Sequence, residues 1–159
     1  MASQPSQPLI RNYGLFWEKS AIFWGKGSQA GSLLGKLATA RKDGNVDFRD
    51  QMGIYVLYSE YKLIYVGQTD KQGLLHRLRQ HTKDDLADRW DRFSWFGLRK
   101  VNTGKDLAIY VQKNHVETGD VLNHIEAILI HTGEPPLNRQ GGKFGKKVEK
   151  YLQVRDTRL

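Results

Sequence analysis

The chain has 159 residues, which suits one domain with a sizeable core. Hydrophobic residues make up 39% and charged residues 26%, with no cysteine, which excludes a coiled coil, a collagen, a disulfide scaffold, a thiolate zinc site and a cysteine nucleophile. Lys and Arg number 25 against 17 Asp and Glu, a net charge of +8 spread along the chain, and that balance favours a polyanionic partner, most simply nucleic acid. No apolar run approaches the roughly 18 residues of a membrane span, and the N-terminus has neither the basic nor the apolar region of a signal peptide. A cytoplasmic protein with no membrane association is expected.

Residues 1–10 are rich in Gln, Ser and Pro and read as a flexible N-terminal tail. Residues 11–50 hold Phe16, Trp17, Phe23 and Trp24 and read as an extension packed on the main domain. Its aromatics are expected as core anchors rather than base-stacking platforms. Residues 30–42 suggest a short helix with Leu33, Leu34 and Leu37 on one face.

From residue 51 the pattern sharpens. Two β-branched and aromatic runs, 53–58 and 63–66, flank a turn at 59–62 and predict a β-hairpin. Residues 74–82 predict a helix with Leu74, Leu75 and Leu78 on one face, and with Arg77 and His81 sharing another. The helix is expected to restart over 84–91, where Asp84, Asp85, Asp88 and Asp91 read as solvated charges. A third strand is expected over 92–101, while 107–111 fits strand or helix. Asp120 is a candidate N-cap for a helix running to His131, closed by Gly133, Pro135 and Pro136. Residues 141–159 form a basic C-terminal segment, in which 148–154 fits a short helix or strand. The fold class expected is α/β, a small central mixed or antiparallel sheet of about three strands, starting with the hairpin and flanked by helices.

The polar residues come in a recognisable order. Gly53, Ile54 and Tyr55 are followed, after nine intervening residues, by Tyr65, Val66 and Gly67. Then come Gln68 and Thr69, Arg77, His81, Glu126 within an apolar stretch, and Asn138 after Pro135, Pro136 and Leu137. This set resembles the GIY-YIG nuclease superfamily over roughly residues 51–140, with Val66 where the second motif usually has Ile. The resemblance implies a metal-dependent endonuclease acting on DNA, with Tyr55, Tyr65, Arg77, His81, Glu126 and Asn138 as the catalytic set. It implies Glu126 as the metal ligand and one divalent ion, Mg²⁺ or Mn²⁺.

The residues themselves point the same way. A carboxylate in an apolar helical stretch must face solvent or meet a cation, and Mg²⁺ accepts one or two carboxylates plus waters and phosphate. A tyrosine titrating near 10 needs neighbouring positive charge or hydrogen bonds to act as a base at neutral pH, and Arg77 and His81 could supply them. Arg77 would stabilise charge on phosphate, and Tyr65 would orient Tyr55 or the water. Lys71, Arg79, Arg139, Lys143, Lys146 and Lys147 are the candidate phosphate contacts. His76, His115, His124 and His131 fit no metal-ligand spacing.

Other readings stay open: a catalytically inactive nucleic-acid-binding module of the same fold, a covalent mechanism with Tyr55 as nucleophile, and RNA as substrate. No added DNA-binding domain is visible, so specificity is expected from residues 1–50, the basic C-terminal segment, a homodimer or a partner protein. One geometric condition is internal to the hairpin. A plain two-residue turn at Glu60 and Tyr61 would pair Tyr65 with Val56 and put Tyr55 and Tyr65 on opposite faces, so a shared site requires a bulge or an odd-length loop.

Overall fold

The computed structural model describes residues 8–39, 44–69, 71–109, 124, 127, 128, 132 and 147–159. Glu126, Asn138, Arg139, Lys143 and Lys146, with the expected N-cap Asp120, lie outside the described residues.

The fold is mostly β. In chain order the elements are β1 (Asn12–Glu18), a single 3-10 turn (Lys19–Ala21), β2 (Phe23–Lys26), β3 (Gln29–Ser32), β4 (Leu34–Leu37), β5 (Val46–Asp47), β6 (Gly53–Ser59), β7 (Lys62–Gln68), α1 (Leu74–Gln80), β8 (Arg92–Gly97) and β9 (Glu149–Gln153). Seven strands form one sheet in the order β5-β4-β9-β1-β8-β6-β7, while β2 and β3 form a separate two-stranded ribbon. The β1–β9 pair is parallel and the other pairs are antiparallel. Helical backbone recurs at His124, Ala127, Ile128 and Thr132. Among the described residues no helix is long and apolar enough to cross a membrane.

This corrects the expected α/β architecture of about three strands flanked by helices. The three expected strands exist as β8, β6 and β7, but they are one end of a larger sheet. The outer edge of β8 is not left open, because β1 pairs along it from Asn12↔Gly97 to Glu18↔Arg92. An unpaired edge exposes a row of N–H and C=O groups, and the N-terminal segment carries the residues that close it.

Burial explains why that segment joins the sheet. Trp17 on β1 packs edge-on to Trp95 on β8 at 5.3 Å, and Phe48 lies 4.5 Å from the Trp95 ring. Trp17, Phe23 and Phe48 are all buried, so these aromatics are core anchors. The expected helix over 30–42 is replaced by β3 and β4. Gly35 lies against the Trp17 ring, where a Cβ would come within 2.8 Å, so that position suits a strand packed closely on an indole. The expected helical restart over 84–91 is instead a run of turns. Its bonds are of the three-residue kind, Ala87 N–H to Asp84 O and Arg89 N–H to Leu86 O, and the Asp84 carboxylate takes the Leu86 N–H.

The sheet has two packed faces. One carries Tyr55, Leu57, Phe93 and Trp95 and receives α1 through Leu74, Leu75 and Leu78. The other carries Val56, Tyr58 and Phe96 and receives Ile10 and Ala127. The first face holds the residues singled out from the sequence.

Candidate active site

The hairpin β6–β7 meets the geometric condition. Tyr55 pairs with Gly67, Val56 with Val66 and Leu57 with Tyr65, but Tyr58 pairs with Leu63. Ile64 is therefore the extra residue of a bulge. Tyr65 sits opposite Leu57, two positions along β6 from Tyr55, and the two tyrosines share a face. The turn itself is a two-residue one in which Glu60 (φ 48°) and Tyr61 (φ 69°) both take positive φ. Neither is glycine, so contacts hold them there. The Glu60 N–H donates to Asp91 Oδ1 at 3.0 Å, and the Arg92 guanidinium lies 4.4 Å over the Tyr61 ring.

Gly67 makes room for the pair. Its Cα lies under the Tyr55 ring, and an added Cβ would collide with the Tyr55 hydroxyl and approach the Tyr65 ring to 2.7 Å. Behind Gly67, the strand end is fixed at Thr69, whose N–H donates to Gly53 O at 2.9 Å and whose Oγ1 accepts the Gly53 N–H at 2.9 Å.

Helix α1 brings the other partners. Its N-terminus is anchored by Leu75 N–H donating to Arg49 O at 3.0 Å. Its C-terminus carries His81, held through its carbonyl by the Trp90 Nε1–H at 3.0 Å. The Tyr55 hydroxyl lies 2.7 Å from His81 Nε2. The Tyr65 ring stands nearly edge-on to His81 at 4.8 Å and tilted to Tyr55 at 6.1 Å. Arg77, one turn before His81, acts on Tyr55 both as a charge and as a hydrogen-bond donor.

A residue read from the sequence as a solvated charge completes the group. Asp84 Oδ2 lies 2.7 Å from His81 Nδ1, and the Asp84 side chain is 43% exposed while that of His81 is buried. Burial opposes ionisation of Asp84, but the bonds from the Leu86 N–H and from His81 outweigh it and hold the carboxyl below its ordinary range. A carboxylate only accepts, so His81 carries a proton on Nδ1, and in the neutral form of the ring Nε2 is the acceptor for the Tyr55 O–H. Burial pushes the Tyr55 phenol up to about 12, with Arg77 opposing and Tyr65 adding to the rise. At neutral pH Tyr55 is a phenol, hydrogen-bonded to a histidine whose Nδ1 faces a carboxylate.

The structure thus brings Tyr55, Tyr65, Arg77 and His81 together. Lys71 is exposed in the turn before α1, and Lys147 is exposed at the entry to β9. Arg79 donates to Trp24 O at 2.5 Å and so faces the β2–β3 ribbon. Among the described residues no group of three His, Asp or Glu side chains could hold a metal ion. Among the described residues Asp84 is the acid in contact with the group, and it is engaged by His81; Glu126, the metal ligand that the resemblance implies, lies outside the described residues. Asp84 did have a sequence signal, an acid three residues after a candidate histidine, the spacing at which helical side chains meet.

No family model, no curated protein and no solved structure matches this chain.

Proposed function

We propose that this chain is an endonuclease that hydrolyses DNA phosphodiester bonds, of the type its motifs resemble, acting in the cytoplasm. The observation that carries the reading is the chain Tyr55–His81–Asp84, flanked by Tyr65 and Arg77. Its logic is that of a hydrogen-bonded relay. The attacking water gives its proton to the Tyr55 oxygen as the Tyr55 proton moves to His81 Nε2. The Asp84 carboxylate stabilises the imidazolium that results. A phenol near 12 is a poor base alone, and the relay removes the need for a standing phenolate. Arg77 would stabilise charge growing on phosphate. The resemblance assigns one Mg²⁺ or Mn²⁺ to Glu126, and no step above depends on it.

A second reading has its own observation. Tyr55 and His81 are both buried, and the Tyr55 hydroxyl is already bonded, as in a structural network. Under that reading the chain binds nucleic acid without cutting it.

Nicking of supercoiled plasmid separates the two, with Mg²⁺, Mn²⁺ or EDTA, for the native chain beside Tyr55→Phe and Glu126→Ala. Metal-dependent nicking lost in both variants supports the nuclease. Absent nicking with salt-sensitive DNA binding retained supports the binding module.

A further inference from the structure

The β2–β3 ribbon stands apart from the seven-stranded sheet and leaves its tip in solvent. Lys26 and Gln29 are paired across a two-residue turn of Gly27 and Ser28, with Gly27 at φ 60°. A cross-strand pair next to a turn presents both side chains on one face. That face looks across a cleft of about 490 Å³ to α1. The charged and polar side chains lining the cleft include Lys26, Gln29, Arg49, His76 and Arg79, with Asp50 as the one carboxylate among the described residues that line it. Arg49 lies 3.6 Å from Asp50. Arg79 ties the two walls together through its bond to Trp24 O.

We propose that the β2–β3 ribbon is an arm whose tip enters the major groove of duplex DNA and reads base edges there, and that the cleft beside it takes a phosphate bordering that groove. The proposal rests on the nuclease reading for its biological sense, but it is argued from the ribbon itself. The major groove of B-DNA is about 12 Å wide and admits a two-stranded ribbon. Lysine and glutamine are suited to the acceptor edge of guanine and to the paired donor and acceptor of adenine, and the tip carries one of each. The cations on the α1 side suit the phosphates that border the groove. Charge complementarity favours DNA over an apolar partner.

The test uses the full chain with Tyr55→Phe, bound to a pool of short duplexes with a randomised centre, after which the bound molecules are sequenced. The same chain carrying Lys26→Ala and Gln29→Ala is treated in parallel. The expected result is a base preference at a few adjacent positions that disappears in the ribbon variant, with about a tenfold or greater loss of affinity for the enriched site. An unchanged melting temperature shows that the variant is folded. The same preference and affinity in both chains overturn the proposal, and so does the absence of any duplex preference in the parent. Plasmid nicking by the chain with Tyr55 intact is scored separately. Nicking with an unaltered base preference overturns the ribbon alone, whereas no nicking with a ribbon-dependent preference overturns the nuclease alone.

Discussion

Asp84 Oδ2 sits 2.7 Å from His81 Nδ1, and this contact decides which ring nitrogen of His81 faces Tyr55 as an acceptor. Asp84→Asn keeps the size of the side chain but can present an amide N–H to Nδ1. The ring then favours the tautomer with hydrogen on Nε2, which donates to the Tyr55 oxygen and can no longer take its proton. Plasmid cleavage is expected to fall about 10²-fold or more, with a changed pH–rate profile. The melting temperature is expected to move little, because the Asp84 side chain is 43% exposed. Asp84→Glu is expected to recover part of the rate. Equal rates for Asp84→Asn and the native chain, measured in single turnover across pH, would remove Asp84 from the relay.

Gly67→Ala tests the placement of the two tyrosines. The new methyl group would collide with the Tyr55 hydroxyl and crowd Tyr65, so both rings must shift away from His81. An overpacked site of this kind is expected to lose about 1–3 kcal/mol of stability. Cleavage is expected to fall much further than that destabilisation explains, since a relay at hydrogen-bond distance does not tolerate a displacement near 1 Å. Cleavage measured below the unfolding transition, beside the urea midpoint, separates the two effects. Native-level cleavage would show that Tyr55 is not held where the chemistry needs it.

The local pattern was legible where one strand, turn or helix decides it. The hairpin, α1 and the shared face of Arg77 and His81 all follow from periods of two and 3.6 residues. The need for a bulge also followed from residue counting, and Ile64 supplies it. The sheet order was not legible. Whether β1 pairs with β8 depends on which aromatics meet across about eighty residues, and residue spacing holds no record of that contact. Over 30–42 the spacing of Leu33, Leu34 and Leu37 suggested a helical face where the fold has β3 and β4. Gly35 reads as a helix weakener in sequence, but in the fold it is the space for the Trp17 ring. Asp84 was misread because a run of acids beside Arg89 and Arg92 looks like a solvated face, and only its bond to His81 distinguishes it.

Asp156 pins the C-terminus to the base of the ribbon. It accepts from Ser32 Oγ at 2.8 Å, and Arg158 reaches it through its backbone N–H at 2.9 Å and Nη2 at 2.8 Å. The Arg158 guanidinium also covers the Phe23 ring at 3.9 Å. These bonds, led by those from the Arg158 side chain and opposed by burial, hold the Asp156 carboxyl far below the usual range. A depressed carboxyl contributes stability above its unfolded value, and the contribution is lost as pH falls toward the folded value. Asp156→Asn is expected to cost about 2 kcal/mol at neutral pH, seen as a drop of roughly 5 °C in melting temperature. The difference between the two chains is expected to shrink on acidification below about pH 4. A constant difference from neutral to acid pH would show that the charge of Asp156 contributes nothing.

Alkaline pH probes the two buried phenols. Burial pushes both Tyr55 and Tyr58 up to about 12, opposed at Tyr58 by the Ser94 hydroxyl, to which it donates at 3.1 Å. A phenol with a raised folded pKa favours the native state fully below its unfolded value near 10. Between about 10 and 12 the unfolded chain has released a proton that the native chain retains, so stability falls as pH rises through that window. The expected loss is on the order of 2 kcal/mol for each tyrosine. Lysines titrate in the same range, so the informative quantity is the difference between the native chain and Tyr58→Phe. At neutral pH the variant is expected to be less stable by about 1 kcal/mol, for the lost bond to Ser94. As pH approaches 12 that difference is expected to vanish and then reverse, because the variant has one buried phenol fewer to ionise. Urea midpoints collected across the window give the curve directly. A difference that stays fixed from neutral pH to 12 would mean that Tyr58 ionises as easily in the fold as in the unfolded chain, and that the packing around it does not exclude its charged form.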